Sequence, residues 1–461
     1  MRLLLIFSCL LCLIGNAHAA ALPRDVRNAL HQAQIPLTDV GIEVREVNAR
    51  SALISVNGKQ PMNPASTMKL LTTYAGLELL GPAYTWKTEA YLDGKLEQGV
   101  LHGDLILKGY GDPKFTIEQF WLWLRELRGR GLREIRGDLV LDRSAFLLPQ
   151  HDPAAFDNDP IRAYNVGPDA LLLNFNAIRL HLIPDGGKVS VLIEPELAGI
   201  TLDNRVTLSA QGDCNNWSDA ISPQLNSTTL LIQGTFPASC GEREQHVSLL
   251  PPPDYFQAVF RALWQELGGT LRGATRSGTL PGSATLYATH HSAPLSELIR
   301  DINKYSNNVM ARQLFLSLGA PPAGGAGSEL ALRNWLARKQ LDFPGLALEN
   351  GAGLSRTERI SAQSMALLLR DAQHSPQQPE FEASLPIVGV DGTLKKRLHD
   401  SASVGHAHLK TGTLEGAKTV AGYVQSRSGK QWVLVFFINS PNAAAGGKAQ
   451  DALIEWVQQR H

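Results

Sequence analysis

Three short clusters in this 461-residue chain have the residue types and spacing that nucleophilic acyl transfer needs. In the first, Pro64-Ala65-Ser66-Thr67-Met68-Lys69 runs into a helix-compatible stretch that Gly81-Pro82 stops. Side chains three apart on a helix share a face. The amine of Lys69 is therefore placed to take the proton that Ser66 must lose to act as a nucleophile. The helix N-terminus adds a positive end beside a reacting carbonyl. Neighbouring positive groups are expected to keep Lys69 neutral enough to serve as base. A lone Ser-x-x-Lys has an ordinary alternative, a capping serine and a surface lysine, so the pair needs company.

The second cluster is Ser306-Asn307-Asn308, between two predicted helices. The Ser306 hydroxyl suits a proton relay between the lysine and a leaving nitrogen, and Asn308 suits a bridge between that lysine and a substrate amide. Its bland alternative is a helix N-cap, and Ser440-Pro441-Asn442 repeats the pattern with no comparable setting. The third is Lys410-Thr411-Gly412-Thr413, expected just before a strand. Lys410 offers a fixed charge to a carboxylate, and Thr411 and Thr413 offer hydroxyls. Gly412 is expected to let a substrate backbone approach without a Cβ in the way. The N–H groups of Ser66 and Thr413 form the expected oxyanion hole. All three clusters occur in the order of a known catalytic set.

Elements that position them follow from periodicity. A short helix at 23–32 and strands at 40–47 and 51–56 precede Ser66. From about 85 to 146 strands alternate with turns, with a helix at 117–129. There is one internal echo, Gly103-Asp104-Leu105-Ile106-Leu107 against Gly137-Asp138-Leu139-Val140-Leu141. Residues 165–245 read as all-β. Helical periodicity returns at 255–267, 295–301, 307–318 and 327–338. A hairpin of strands 419–426 and 431–438 and a final helix at 448–459 close the chain. The fold class is α+β: one domain, with strands from both ends of the chain, interrupted by a β-rich insertion. The expected divisions are 1–19, 20–84, 85–164, 165–245 and 246–461.

Residues 1–19 read as a cleaved leader, with Arg2, an apolar run and Ala17-His18-Ala19 before the cut. The run is too short for a bilayer span, and neither Cys9 nor Cys12 is preceded by the small residues that lipid anchoring uses. Export leaves Cys214 and Cys240, which are expected to pair in an oxidising compartment. Lys plus Arg and Asp plus Glu both number 43, with no basic stripe or polybasic membrane tail, so nucleic acid is not an expected partner, while peripheral membrane and homo-oligomer association stay open. His290 and His291 do not form a spaced metal set, and no glycine-rich phosphate loop occurs. No metal or cofactor is expected.

With these residues in hand, the chain resembles the penicillin-binding proteins. The likeness is to the low-molecular-mass class C group, D-alanyl-D-alanine carboxypeptidases and endopeptidases of the penicillin-binding protein 4 type. The likeness rests on residues 64–70, Pro294 to Ile299 leading to Tyr305-Ser306-Asn307-Asn308, Gly351-Ala352-Gly353-Leu354-Ser355 and residues 409–413. Gly109-Tyr110-Gly111-Asp112-Pro113 and the long gap between the first two clusters add to it. Class A β-lactamases resemble the same set but place the second cluster closer and carry a separate deacylating glutamate, for which no counterpart is read here.

The resemblance implies a transpeptidase-like domain with its cleft at a sheet edge and two inserted domains. It also implies a periplasmic location, peptidoglycan stem peptides as substrates and β-lactams as covalent inhibitors. Ser66 is then the nucleophile and Lys69 the base, with Ser306, Asn308 and Lys410 assisting and Thr411, Gly412 and Thr413 binding substrate. The resemblance further implies a second-domain carboxylate that reads the diamino acid side chain of the stem peptide, for which Asp142 is the candidate. Arg356 is the candidate for supporting the far side of the cleft. Two other readings use the same residues differently: a β-lactamase or esterase that turns over instead of being trapped, and a non-catalytic wall-binding protein.

Overall fold

The structure is a computed structural model and describes residues 21–461; the expected leader, Cys9 and Cys12 lie outside the described residues. Strand Gln431–Asn439 explains the architecture around the clusters. Its Val433, Val435 and Phe437 face one apolar core, while Trp432, Leu434, Phe436 and Ile438 face another. A strand buried on both faces reads as a continuous apolar run instead of an alternating one. It lies third in a five-stranded antiparallel sheet ordered Ala407–Leu414, Ala417–Gln425, Gln431–Asn439, Val40–Glu46, Ile54–Val56.

Helices Met68–Leu79, Leu295–Lys304, Asn308–Ser317 and Ala362–Gln373 contribute to the core on one face of the sheet. Helices Arg24–Gln32 and Gly447–Gln458 pack on the other. Helix Ala362–Gln373, capped by the Ser361 hydroxyl, did not stand out in the sequence. Two expectations change. The strand expected over 51–56 shortens to Ile54–Val56 because the chain is still turning at Ser51. The Lys-Thr-Gly cluster lies within strand Ala407–Leu414, not before one, and that strand is an edge of the sheet.

The insertion builds a second sheet. Strands Lys87–Glu97 and Val100–Gly109 form a hairpin. Helix Ile117–Gly129, held by a Thr116–Gln119 capping box, then crosses to strand Leu139–Asp142, which lies parallel to Val100–Gly109. The internal echo is this pairing: Leu105, Ile106 and Leu107 sit opposite Leu139, Val140 and Leu141. The matching aspartates share one cation, since Arg276 reaches Asp104 at 2.6 Å and Asp138 at 3.0 Å. After helix Pro252–Glu266, strand Thr285–His291 returns to pair with Lys87–Glu97. The β-rich stretch between them forms two three-stranded sheets. Cys214 and Cys240 are bonded, with Cα atoms 5.3 Å apart. One apolar cluster runs through both parts of the insertion, from Ala90 and Leu105 to Leu180 and Phe236.

Candidate active site

Ser66 lies in a short 3-10 turn, Ala65–Thr67, ahead of helix Met68–Leu79. Ala65 adopts φ 45°, a left-handed conformation that costs a residue with a Cβ on the order of 1 kcal/mol or more. The surroundings hold it there. Asn63 Oδ1 accepts from Ala65 N at 2.8 Å, and Asn63 is itself tied to Asn439 and to the Ser355 carbonyl. The hydroxyls of Thr67 and Thr419 both donate to the Pro64 carbonyl, at 2.6 and 2.7 Å. Two glycines press against the same turn. A Cβ on Gly353 would lie 1.9 Å from the Ala65 carbonyl oxygen, and one on Gly412 would lie 2.7 Å from Ser66 N. Gly412 therefore lets the edge strand close on the backbone of Ser66, a reason different from the open approach expected for substrate.

Lys69 is fully buried, and its Nζ meets three oxygens: Ser66 Oγ at 3.0 Å, Asn308 Oδ1 at 2.7 Å and the Ala352 carbonyl at 2.5 Å. Burial pushes the Lys69 amine well below its ordinary range, and the charge of Lys410 adds to that. Neighbouring positive charge is thus a secondary cause where the sequence reading made it the main one. Glu358 opposes it. The neutral amine has two N–H groups and one lone pair. Asn308 Oδ1 and the Ala352 carbonyl can only accept, so both N–H groups go to them and the lone pair is left for the Ser66 hydroxyl proton.

Lys410 is also fully buried, and burial pushes it down to about 7. It donates to Ser306 Oγ at 2.9 Å and to the Thr411 carbonyl at 2.7 Å. Ser306 holds φ 59°, a second left-handed residue among the three clusters. Asn307 supplies the N-cap of the next helix through Met310 N, which accounts for the middle residue of that cluster. The Thr411 hydroxyl pairs with that of Thr393 at 2.7 Å, a partner the sequence did not suggest. Thr413 is exposed on the same strand.

The structure does not bring Asp142 into this cleft. Its side chain has no exposure, pairs with Lys108 at 3.1 Å and accepts from the N–H groups of Ser144 and Leu280. The signal was available: continuing the echo one step past Leu141 sets Asp142 opposite Lys108. Arg356 is placed near the cleft. It lies 4.6 Å over the Phe156 ring and 3.4 Å from Glu415, just beyond the Lys-Thr-Gly strand. Together with Asp152, Phe156, Arg312, Glu349 and Ser355 it lines a cavity of about 600 Å³. The loop 350–356 joins that cavity to the site, since it also carries Ala352 and Gly353. Asp152 is an exposed carboxylate of the insertion on this wall, and nothing in its sequence neighbourhood marked it.

Comparison with known proteins identifies the family. The chain is 29% identical to a D-alanyl-D-alanine carboxypeptidase of an Actinomadura species, over 95% of this chain and 85% of that protein. It is 26% identical to the D-alanyl-D-alanine carboxypeptidase DacB of Haemophilus influenzae, over 87% and 85% respectively. The crystal structure of penicillin binding protein 4 from Haemophilus influenzae superposes with a TM-score of 0.79 at 25% identity, covering 95% of this chain and all of that one. Residues 22–460 match the D-Ala-D-Ala carboxypeptidase 3 (S13) family, and the chain belongs to that family.

Proposed function

We propose that this protein is a penicillin-binding serine DD-peptidase that cleaves D-alanyl-D-alanine termini, D-alanyl-diamino acid cross-links, or both, in peptidoglycan. The observation that carries this reading is the joined set Ser66–Lys69–Asn308 and Ser306–Lys410, in which two buried lysines converge beside one half-buried serine hydroxyl. Lys69 takes the Ser66 proton as Oγ bonds to the D-alanyl carbonyl carbon. The N–H groups of Ser66 and Thr413 donate to the oxyanion. Lys410 donates to Ser306 Oγ, leaving the hydroxyl hydrogen of Ser306 free to point at the leaving nitrogen. The proton passes from Lys69 through Ser306 to that nitrogen as the C–N bond breaks. In deacylation water gives its proton to Lys69 and its oxygen to the acyl carbon, and Ser66 Oγ leaves with that proton.

Lys410, Thr411 and Thr413 bind the carboxylate on the leaving side. The cavity beside loop 350–356 receives the acyl-side chain, with Asp152 in place of Asp142 as the insertion's carboxylate and Arg356 on the facing wall. β-Lactams acylate Ser66 and are released slowly. The leader-like residues 1–19 and the Cys214–Cys240 bridge support a periplasmic location. Ser66→Ala is expected to abolish both penicillin labelling and D-alanine release from defined muropeptides, measured by mass spectrometry. Undiminished D-alanine release from that variant would refute the mechanism.

A further inference from the structure

Glu358 is a fully buried carboxylate two residues beyond Arg356, in a turn that the mechanism above does not use. Its oxygens are occupied by backbone. Oε1 accepts from the N–H groups of Glu349, Asn350 and Gly351 at 3.2, 3.0 and 2.8 Å, and Oε2 accepts from that of Gly353 at 2.9 Å. These donors bracket Ala352, whose carbonyl receives Lys69 Nζ. The Asn350 side chain closes the same loop, accepting from Ala352 N and donating to the Leu354 carbonyl. The neighbouring Gly351 carbonyl accepts from Thr72, one turn along the helix that carries Lys69. Between Asn350 and Leu354 the loop is Gly-Ala-Gly, with the two glycines at φ 69° and 77°, and Asn350 is the one side chain of the loop shown to hold it. The carboxylate supplies the rest of the hold.

We propose that Glu358 is a positioning residue for the general base: it fixes the Ala352 carbonyl against Lys69 and sets a buried negative charge one peptide away from that amine. The inference rests on the reading of Lys69 as base. Four N–H donors favour the ionised form of Glu358, although burial pushes its carboxyl up and the nearby Glu349 adds to that. Arg312 and Lys410 are the cations that act on Lys69 from the other packed elements, and both lower its proton affinity, whereas Glu358 raises it. Glu358 is not a deacylating base of the β-lactamase kind. Its oxygens are held by backbone donors, and the residue has no exposed surface through which to reach a water at the acyl carbon.

The test is the pH dependence of the acylation rate with a fluorescent penicillin, for the full chain, Glu358→Gln and Glu358→Asp. Wild-type acylation falls at acid pH as Lys69 becomes protonated. Removing the charge in Glu358→Gln is expected to move that acidic limb down by about one pH unit, while the rate at the plateau falls because Gly353 N–H then faces a donor. Glu358→Asp keeps the charge and is expected to keep the limb within the wild-type position even where its plateau rate falls. A plain loss of structure lowers the plateau without moving the limb. An unmoved or raised limb in Glu358→Gln overturns this inference and leaves Lys69 as base. A wild-type profile with no acidic limb overturns the Lys69 reading itself and this inference with it. If Glu358→Gln does not fold, a limb displaced in Glu358→Asp overturns the proposal and a retained limb supports it.

Discussion

Replacing Gly412 by alanine asks whether the edge strand is packed directly onto the nucleophile. Gly412 has no left-handed backbone requirement, so any effect comes from the added methyl group. That carbon would lie 2.3 Å from Thr419 Oγ1, 2.7 Å from Ser66 N and 2.9 Å from Ala65 Cβ. Carbon contacts are comfortable from roughly 3.5 Å outward, so the strand and the turn must separate by about 0.5–1 Å. Thr419 cannot yield freely, because its hydroxyl holds the Pro64 carbonyl at 2.7 Å. The displacement is therefore passed to residues 64–66. A misplacement of about 1 Å costs on the order of a hundredfold in rate, and forcing a methylene into a packed site costs about 1–3 kcal/mol.

Single-turnover acylation by a fluorescent penicillin is expected to slow by about two orders of magnitude, with a fall in Tm of a few degrees by calorimetry. Gly129→Ala is the matched control, since a Cβ there meets nothing within 4 Å, and both readouts should stay at wild type. A Gly412→Ala enzyme that acylates at the wild-type rate with an unshifted Tm would refute the packing argument.

Two further outcomes follow from the site. Lys410, at about 7 in the free protein, must be charged to bind a carboxylate, so kcat/KM is expected to fall as pH rises above that value. Bound substrate carboxylate favours the ammonium and moves the same limb of kcat to higher pH. Lys410→Arg, which does not titrate in this range, should remove the alkaline limb from whatever activity it retains. The two insertion aspartates should separate cleanly. Asp142→Asn breaks a buried pair and is expected to lower stability by about 1–3 kcal/mol in denaturant titrations with product specificity unchanged. Asp152→Asn should leave stability alone and weaken cleavage of stem peptides whose acyl-side chain carries an amine. Reversal of the two phenotypes would return Asp142 to the cleft.

The parts of the fold that the sequence makes legible are those that repeat a local rule. Helix Ile117–Gly129 was legible from its periodicity, and strand Gln431–Asn439, read one residue short at 431–438, because the residues from Trp432 to Ile438 are all apolar. The meeting of Ser66, Lys69 and Asn308 was legible because a serine and a lysine three apart at a helix start share a face and Ser-x-Asn recurs with that pair in a known set. Ala352 was not, since a backbone carbonyl leaves no mark in the sequence. Glu358 was not, because a charged residue in a turn is ordinarily solvated and its burial depends on a loop folding over it. Asp142 was misplaced for the opposite reason: its burial follows from strand register, which the echo contained but which one aspartate beside a turn does not reveal.

The order of strands in the catalytic sheet has a consequence for how the protein comes to life. Strand Val40–Glu46 pairs along its full length with Gln431–Asn439, so the layer that carries the site joins an early segment to one made almost last. The strands Lys87–Glu97 and Thr285–His291 of the insertion find each other sooner, and domains tend to fold as units in the order in which they are made. The early strand and its serine must therefore wait, one edge unpaired, while the insertion folds. Until then the chain carries Ser66 and Lys69 without Lys410, and the cluster is complete only when the closing strands arrive.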